Sequence, residues 1–547
     1  MFYTKLPPNN VRLNRNRVVV LGMMSLAITC PFGAGAQSVP VAPPTQSAAL
    51  SHSFVIRGFD ITGDNPLADG DVSRILAPYL RTNATIDTLQ KATVALEAAL
   101  KDKGFSLYKV ALPPQEVGKS VTLSIVKFVI GKVTIEGRDR YGEANIRASI
   151  PELREGTSPN FQALAVQTTI ANESQGKQLQ VALKESEEAD KIDVRIVVKE
   201  SKPWNFSISE SNTGSSASGN DRFTVSGSHS NLFDLDHQVT AAYTTSLERP
   251  ADVRQFGLNY RVPLYRLGGV LNVSHTRSDV VGNFGAFSST GAGQTVGLSY
   301  NHYLPPDGGY RSYVGLSIDD KQFDITQING APLAGQLVRR SRPLALGYNA
   351  RVESDSFVWG YNLDLAVNAA SGSGNDVLSY QSEDARINTA NWRLMRGGVN
   401  YMTGWPSGWL LGVRAQFQIS SDALISGEQF GLGGASSVRG TGERPISGDN
   451  GLLFSTELTS QELLPGLRLL GFVDAGWLSN RSPNGNPKPT NDSLSSAGLG
   501  LRYALPSFIV SADFGRVIGG STLPYVSGSG LPQSGDQKLH INLSARF

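Results

Sequence analysis

The sequence predicts an all-β transmembrane barrel of sixteen antiparallel strands, preceded by two small α+β domains. Three observations lead to this fold class. The chain begins with a secretory signal peptide, its lysines are concentrated before residue 203, and apolar and polar residues alternate with a period of two through most of the remainder. Such alternation is expected where one face of each strand meets lipid and the other a polar interior.

The first 36 residues have the features of a signal peptide. Basic residues precede an apolar run from Val18 to Cys30, and Ala34 and Ala36 supply the small residues of a cleavage site. Gln37 is therefore the expected mature start, with lipidation at Cys30 as the alternative. Cleavage after Ala36 would leave no cysteine, so neither a disulfide nor a thiol nucleophile could contribute to the mature protein.

Composition excludes several classes of protein. No later segment has the ~20 consecutive apolar residues that a spanning helix needs, so entry into a membrane would require strands. The formal net charge of +2 gives no reason to expect nucleic-acid binding. The six histidines are scattered singly, and neither a metal-ligand spacing nor a nucleotide-binding loop is present. We therefore expect no enzymatic activity, no cofactor and no metal.

Lysine usage marks a boundary near Pro203. Thirteen of the sixteen lysines lie at or before Lys202, which separates a water-soluble front part from a glycine-rich back part. After a short segment, 37–51, the front part contains two units, 52–128 and 129–202, each with the predicted order strand, helix, helix, strand, strand. In the first unit the second helix is predicted from Asp87, as its N-cap, to Lys103. Each unit is large enough for one layer of helices on a sheet.

Residues 203–547 alternate as barrel strands should. Leu411, Val413 and Ala415, for example, interleave with glycine, arginine and glutamine. A soluble sandwich also alternates, but it buries its apolar face in a core. Sixteen segments can be counted, an even number of the kind found in single-chain outer-membrane barrels, and closure removes the edge strands. The predicted strands lie near residues 204, 221, 237, 253, 269, 293, 309, 340, 357, 391, 408, 451, 468, 495, 507 and 537.

The last predicted strand ends in Phe547. Its apolar residues at 539, 541, 543 and 545 share a face with this terminal phenylalanine. A terminal strand that ends in an aromatic residue resembles the signal read by the outer-membrane assembly machinery. Phe547 is accordingly the candidate assembly signal.

A glycine-rich loop, 431–451, carries the candidate functional residues Val438, Arg439 and Gly440. If the loop folds into the barrel lumen, the guanidinium of Arg439 needs a carboxylate. Asp474 is the first candidate, because the parity of its strand turns it inward, and a carboxylate facing lipid would cost about 2 kcal/mol or more. Glu457, on the polar face of the preceding strand, is the alternative partner. Arginine can offer a planar bidentate fork to either carboxylate.

These stretches resemble the TpsB transporters of two-partner secretion, the ShlB/FhaC/HecB haemolysin secretion/activation family. The resemblance rests on NLFDLDHQV at 231–239, GLGGASSVRG at 431–440, SGDNG at 447–451, FVDAG at 472–476 and SAGLGLRY at 496–503. The two front units resemble POTRA domains, the first of the ShlB type with its Pro113, Pro114 and Gln115.

The resemblance implies a fold, a location and an activity. It implies a sixteen-stranded barrel in the bacterial outer membrane with two periplasmic POTRA domains. Such a protein exports one large β-helical partner of the TpsA type, a haemolysin or adhesin, with or without activating it. In the family the arginine of the loop pairs with the aspartate of the FxDxG stretch, here Arg439 with Asp474. The alternative function is barrel assembly by an insertase of the same superfamily.

Partners follow from the same resemblance. We expect a secreted client, outer-membrane lipid and the outer-membrane assembly machinery as partners, no nucleic acid, and a monomeric state. An unfolded client could add a strand to a POTRA sheet edge, and Pro113, Pro114 and Gln115 form a candidate client-binding stretch.

The sequence departs from the family pattern in two places. Thr441 stands where the family usually has an aromatic residue after Val-Arg-Gly, so an aromatic anchor of the loop tip is not expected. Segment 37–51 is too short, at 1.5 Å per helical residue, for the plug helix and linker of some members. We therefore predict that the plug helix is absent and that the loop around Arg439 is the principal occlusion.

Overall fold

The computed structural model describes residues 53–116, 120–328, 331–482, 491–524 and 530–547. The predicted signal peptide and segment 37–51 lie outside these residues. The prediction that segment 37–51 forms no plug helix therefore also falls outside the described part of the chain. No helix in the described ranges is long and apolar enough to cross a membrane.

The first α+β domain packs two helices on a three-stranded sheet. The strand Ser120–Lys127 lies in the centre, parallel to the first strand and antiparallel to the second. Leu96, Leu100 and Leu123 are fully buried between helix and sheet. The other elements are the strands Gly58–Gly63 and Tyr108–Ala111, the helices Asp69–Leu76 and Ile86–Asp102, and the 3-10 turn Ala77–Tyr79.

The predicted N-cap of the second helix was wrong. The helix Ile86–Asp102 is capped by Thr85, whose backbone N–H donates to Thr88 Oγ1 at 3.1 Å. Asp87 instead lies in the first turn, where its negative charge complements the positive end of the helix dipole. Both threonine and aspartate favour N-terminal positions of helices, and the sequence alone did not separate the two roles.

The second α+β domain repeats this architecture. Its sheet has the order Val129–Glu136, Lys191–Glu200, Lys177–Glu185, so the last of these strands lies at an edge. The helices are Glu143–Ser149 and Phe161–Asn172. The domain packs against the barrel, because its apolar core cluster also includes the barrel residues Tyr265, Val270 and Tyr303.

Sixteen antiparallel strands close into a barrel, as predicted. They are numbered here as barrel strands 1 to 16, and strand 8 consists of two segments that pair with the same neighbour, strand 7. In order they are Trp204–Ser211, Arg222–Leu232, His237–Thr245, Gln255–Leu264, Gly269–Ser278, Gly293–Tyr303, Tyr310–Phe323, Arg339–Ser341 with Pro343–Glu353, Phe357–Asn368, Arg393–Gly404, Leu410–Ser420, Asn450–Thr459, Leu467–Ser479, Asn491–Ala504, Phe508–Gly519 and Gln537–Arg546.

The barrel closes between its first and last strands. Asn542–Arg546 of strand 16 pairs with Ser207–Ser211 of strand 1. The backbone N–H of Phe547 then donates to the carbonyl of Phe206 at 2.9 Å, and the Phe547 side chain is exposed. The candidate assembly signal thus lies at the end of the closing strand.

Apolar side chains face outward and polar ones inward. On barrel strand 13, Val473 and Trp477 are about half exposed at 48% and 50%, whereas Asp474 between them is fully buried. This is the pattern expected for a barrel that meets lipid outside and encloses a polar lumen.

Shorter elements decorate the loops of the barrel. They are the helix Val377–Gln381, the 3-10 turns Tyr265–Leu267 and Ser426–Glu428, and three small hairpins: Gly282–Phe284 with Phe287–Ser289, Gln327–Ile328 with Ala331–Pro332, and Phe430–Leu432 with Ile446–Gly448.

Candidate functional site

The candidate site is the loop between barrel strands 11 and 12, residues 421–449, which we call the lumen loop. The predicted loop, 431–451, ends two residues later, because Asn450 and Gly451 already belong to strand 12. Val438, near the tip, is fully buried in an apolar cluster with Leu453, Leu494 and Val517 of the barrel wall. The tip therefore packs against the wall.

Arg439 binds both predicted carboxylates. Its Nε donates to Asp474 Oδ2 at 2.8 Å and its Nη2 to Asp474 Oδ1 at 2.9 Å, which is the bidentate geometry. Its Nη1 donates to Glu457 Oε1 at 2.5 Å. Glu457 is therefore a second partner of Arg439, where the sequence presented it as a competitor.

Asp474 is held for this role by its surroundings. Its Oδ1 accepts from the Ser455 hydroxyl at 2.6 Å, and its Oδ2 accepts from the backbone N–H of Arg439 at 3.1 Å. Ser455 and Glu457 on strand 12 pair with Asp474 and Phe472 on strand 13, so all four share the inner face. A carboxylate that is fully buried needs such saturation of its acceptors.

Phe472 supports the guanidinium from its face. The Cζ of Arg439 lies 3.5 Å from the centre of the Phe472 ring, close enough for a cation–π contact. Phe472 stands two residues before Asp474, so strand parity places both toward the lumen. The FxDxG stretch thereby supplies one residue to bind the edge of the guanidinium and one to stack on its plane.

Gly440 brings the loop backbone against the wall. Its φ is +90°, a conformation that favours glycine. A Cβ on Gly440 would lie 2.8 Å from the carbonyl of Gly515 on strand 15. The backbone N–H of Gly440 donates to His540 Nε2 on strand 16 at 3.1 Å. Two backbones thus meet at a pair of glycines.

Gly440→Ala should displace the loop tip, since strain and the contact with Gly515 together would cost about 1–3 kcal/mol. We expect a clear loss of the protein's activity with the barrel still assembled, as judged by heat-modifiability on gels. Gly442→Ala is the matched control, because a Cβ there meets nothing within 4 Å. Equal behaviour of the two variants would contradict the steric role of Gly440.

Thr441 occupies the place of the family's usual aromatic residue and holds the loop internally. Its hydroxyl donates to the Val438 carbonyl at 2.9 Å and accepts from the Gly434 N–H at 3.0 Å. The loop tip is therefore fixed by its own hydrogen bonds and by the Arg439 contacts.

The base of the lumen loop has a second set of ionic contacts. Glu428 is fully buried and accepts from Lys321 at 3.0 Å, Ser341 at 2.8 Å and Arg396 at 3.2 Å, on barrel strands 7, 8 and 10. At the far end, Asp449 accepts from Arg386 at 2.8 Å. The lumen loop is thus fixed at three points: Glu428 near its start, Arg439 at its tip and Asp449 at its end.

Sequence reasoning missed Gly515, His540, Asp513 and Glu428. Asp513 lies 3.7 Å from Arg439 and binds Arg502 at 2.6 Å. The first three belong to strands 15 and 16, where single glycine, histidine or aspartate residues on the polar face carry no signal that distinguishes a loop contact. Only the register of the closed barrel brings them to the loop.

The candidate client-binding stretch lies elsewhere, in the first α+β domain. Gln115 Nε2 donates to the Thr122 carbonyl at 2.8 Å, and its Oε1 accepts from the Thr122 N–H at 2.8 Å. Gln115 therefore fastens the Pro113-Pro114 segment to the central strand of its own sheet. A role for this stretch in client binding stays a prediction.

Metal chemistry receives no support from the described side chains, among which no group of three or more His, Cys, Asp and Glu residues could hold a metal ion.

A closed sixteen-stranded barrel with an apolar outer face, a polar lumen that holds an inward loop, and two α+β domains before it is the architecture of an outer-membrane barrel protein. The family model described as "Haemolysin secretion/activation protein ShlB/FhaC/HecB" matches residues 190–503, more than half of the chain. The chain therefore belongs to this family, and the predicted family and fold class are confirmed. It is an outer-membrane secretion transporter of the TpsB type with periplasmic POTRA domains.

Individual relatives agree with this assignment. The chain is similar to the outer membrane transporter CdiB of Escherichia coli, with 22% identity over 470 residues that cover 81% of this chain and 76% of the relative. Among solved structures it is similar to CdiB from Escherichia coli, with a TM-score of 0.70, 18% identity and 93% of each chain covered. CdiB from Acinetobacter baumannii gives a TM-score of 0.67, 17% identity and coverage of 94% and 95%. These structures share the fold.

Proposed function

We propose that this protein exports one large secreted partner of the haemolysin or adhesin type from the periplasm to the cell surface. The observation that carries the proposal is the lumen loop, which enters a polar barrel lumen and is fixed there by charged hydrogen bonds from Arg439 to Asp474 and Glu457. Contacts of this kind can be exchanged for contacts with water or with a passing polar chain. A permanent wall of apolar side chains would lack that property.

The edge strand Lys177–Glu185 of the second POTRA domain is the proposed entry point of the client. It lies at the outside of its sheet, and residues 182–185 are exposed. An extended client segment can add to such an edge through main-chain hydrogen bonds that demand little sequence specificity. The strand begins at Lys177, which contacts Asp236 in a periplasmic turn of the barrel, so a client bound here is already at the rim. The Pro113–Gln115 stretch is the second candidate for client binding.

Passage requires displacement of the lumen loop. Folding of the client outside the cell would then prevent its return, because the folded chain buries apolar surface and satisfies its backbone hydrogen bonds. The transporter itself needs no nucleotide in this scheme.

Deletion of this chain in its native host tests the proposal. We expect the partner to disappear from the culture medium while other outer-membrane barrels keep their normal levels, and complementation with the full chain should restore secretion. A general loss of other barrels would instead favour assembly by an insertase. An unchanged set of secreted proteins would refute the export role.

A further inference from the structure

A second element of the chain enters the lumen. The loop between barrel strands 5 and 6 forms a hairpin, residues 282–289, which we call the lumen hairpin. Phe284 on this hairpin is 1% exposed, and the ring of Phe287 covers Gly257 of strand 4 so closely that a Cβ there would lie 2.4 Å from it. The apolar residues of the hairpin are thus seated against the barrel wall.

The wall that the hairpin contacts is the inner one. A Cβ on Gly285, at the hairpin tip, would lie 2.8 Å from Ala242 Cβ and 3.6 Å from Ser226 Cβ. Both neighbours belong to the inward face, because the residues next to them in sequence, Tyr243 and Val225, are 46% and 44% exposed on the outside. Gly285 has a φ of +56°, which permits the tight turn at this wall.

Three hydrogen bonds join the lumen hairpin and its flank to the lumen loop. Asn283 Nδ2 donates to Ser436 Oγ at 3.2 Å, and Thr290 Oγ1 donates to the Gly427 carbonyl at 2.9 Å. From the other side, Arg444 Nη1 donates to the Thr290 carbonyl at 2.8 Å. Displacement of either element alone would break these bonds.

Arg444 is committed to this junction. Its Nη2 donates to the carbonyls of Ser426 and Gln429 at 2.6 and 2.7 Å, within the lumen loop. A single guanidinium therefore binds three backbone carbonyls, two of the loop and one next to the hairpin. Arginine suits this role because it has five donors in a fixed plane.

We propose that the lumen hairpin is a second gate, and that it moves together with the lumen loop. The hairpin lies against barrel strands 2 to 4, whereas the loop tip is bound to strands 12, 13, 15 and 16, so the two elements close different arcs of the lumen. Release of Arg439 frees only the loop tip. Full opening requires the hairpin to leave its arc as well. That the loop around Arg439 is the principal occlusion stays a prediction, to which this proposal adds the hairpin.

Single-channel recording of the full chain in lipid bilayers tests the proposal. The double variant Asn283→Ala with Thr290→Val removes two of the three bonds and leaves the hairpin in place. Openings in which the loop moves without the hairpin should then become about fivefold to thirtyfold more frequent, because they no longer break one or two ordinary hydrogen bonds. Ser288→Ala, at an exposed position of the same hairpin, is the matched control and should behave as wild type.

Replacement of residues 282–289 by two glycines gives the second arm. This variant should show a larger conductance step than Arg439→Ala alone, provided that heat-modifiability shows an assembled barrel. If the replacement fails to assemble, the double point variant decides. Recordings in which the double variant matches Ser288→Ala, or in which the assembled replacement conducts like wild type, would overturn the proposal.

The same recordings separate this inference from the proposed function. The gate is measured by conductance, which needs no client. If conductance changes as expected and no partner is ever secreted, the second gate stands and the export proposal fails.

Discussion

Arg439→Ala should leave the barrel assembled and lower secretion of the partner at least tenfold. The substitution removes the partner of Asp474, which is fully buried. An unpaired buried charge costs about 3–5 kcal/mol, and the loop tip must shift or the carboxylate must take up a proton or water. Arg439→Lys should rescue little, because an ammonium offers neither the bidentate fork nor the planar stack on Phe472.

Immunoblots of the culture medium measure this effect. Arg266→Ala, at an exposed arginine of a periplasmic turn, is the control and should secrete normally. Asp474→Ala should resemble Arg439→Ala, and the double variant should be no worse than either single variant if the two residues act as one unit. Additive losses would show that they act separately. A parallel fall in heat-modifiability would mean that the pair mainly stiffens the barrel.

Lys177→Met should detach the second POTRA domain from the barrel. The Lys177 ammonium is fully buried and donates to Asn145 Oδ1 at 2.5 Å, to Ser149 Oγ at 2.6 Å and to Asp236 Oδ2 at 2.6 Å. Asp236 lies in the turn between barrel strands 2 and 3, and Tyr265 donates to the same oxygen at 2.6 Å. Burial lowers the pKa of Lys177, and the charge of Asp236 opposes that shift.

The single variant leaves Asp236 buried without its cation, at a cost of about 3–5 kcal/mol. Limited proteolysis of the full chain should then cut near residues 199–203 much faster than in wild type. Lys177→Met combined with Asp236→Asn removes both charges and should restore protection, because asparagine keeps an amide oxygen as acceptor and tolerates the positive φ at this position. Lys184→Met, at an exposed lysine of the same strand, is the matched control. Equal protection of all four chains would contradict a role of the Lys177–Asp236 contact in holding the domain to the barrel.

The turn itself is shaped for this contact. Phe233, Asp234 and Asp236 all have positive φ values, between 54° and 59°. Such residues cost of order 1–3 kcal/mol each and persist where the surroundings hold them. Asn145 holds this turn in place, because its Nδ2 donates to the Asp234 carbonyl at 2.9 Å and to Asp236 Oδ1 at 3.1 Å. The stretch at 231–236 thus connects the barrel to its periplasmic domain.

The alternation of side chains made the barrel predictable, because a period of two is a local property of each strand. Arg439 and Asp474 could be placed toward each other for the same reason: parity turns Asp474 inward, and a buried guanidinium requires an anion. The sequence offered Glu457 only as a rival, since it cannot show that three guanidinium nitrogens have room for two carboxylates.

Other parts of the site depend on distances that no local pattern encodes. The contact of Gly440 with Gly515 requires the register of a strand 75 residues further along the chain. The lumen hairpin could not be predicted from the sequence, because its residues resemble those of any exposed loop. Only the closed barrel places them in the lumen. Lys177 and Asp236 belong to different domains, and only their docking makes either of them buried.

The central claim is that a secreted partner passes through the lumen that the loop closes. The guanidinium of Arg414 donates to the Ser436 carbonyl of the lumen loop, so Arg414 faces the lumen. Asn400 pairs with Arg414 on the neighbouring strand and therefore faces the lumen too. Trp477, by contrast, is 50% exposed on the outer face. A photoreactive residue at each position, tested during active secretion, should crosslink to the partner from position 400 and not from position 477. Crosslinks from the outer face alone, or none from the lumen while the partner still reaches the medium, would contradict the account.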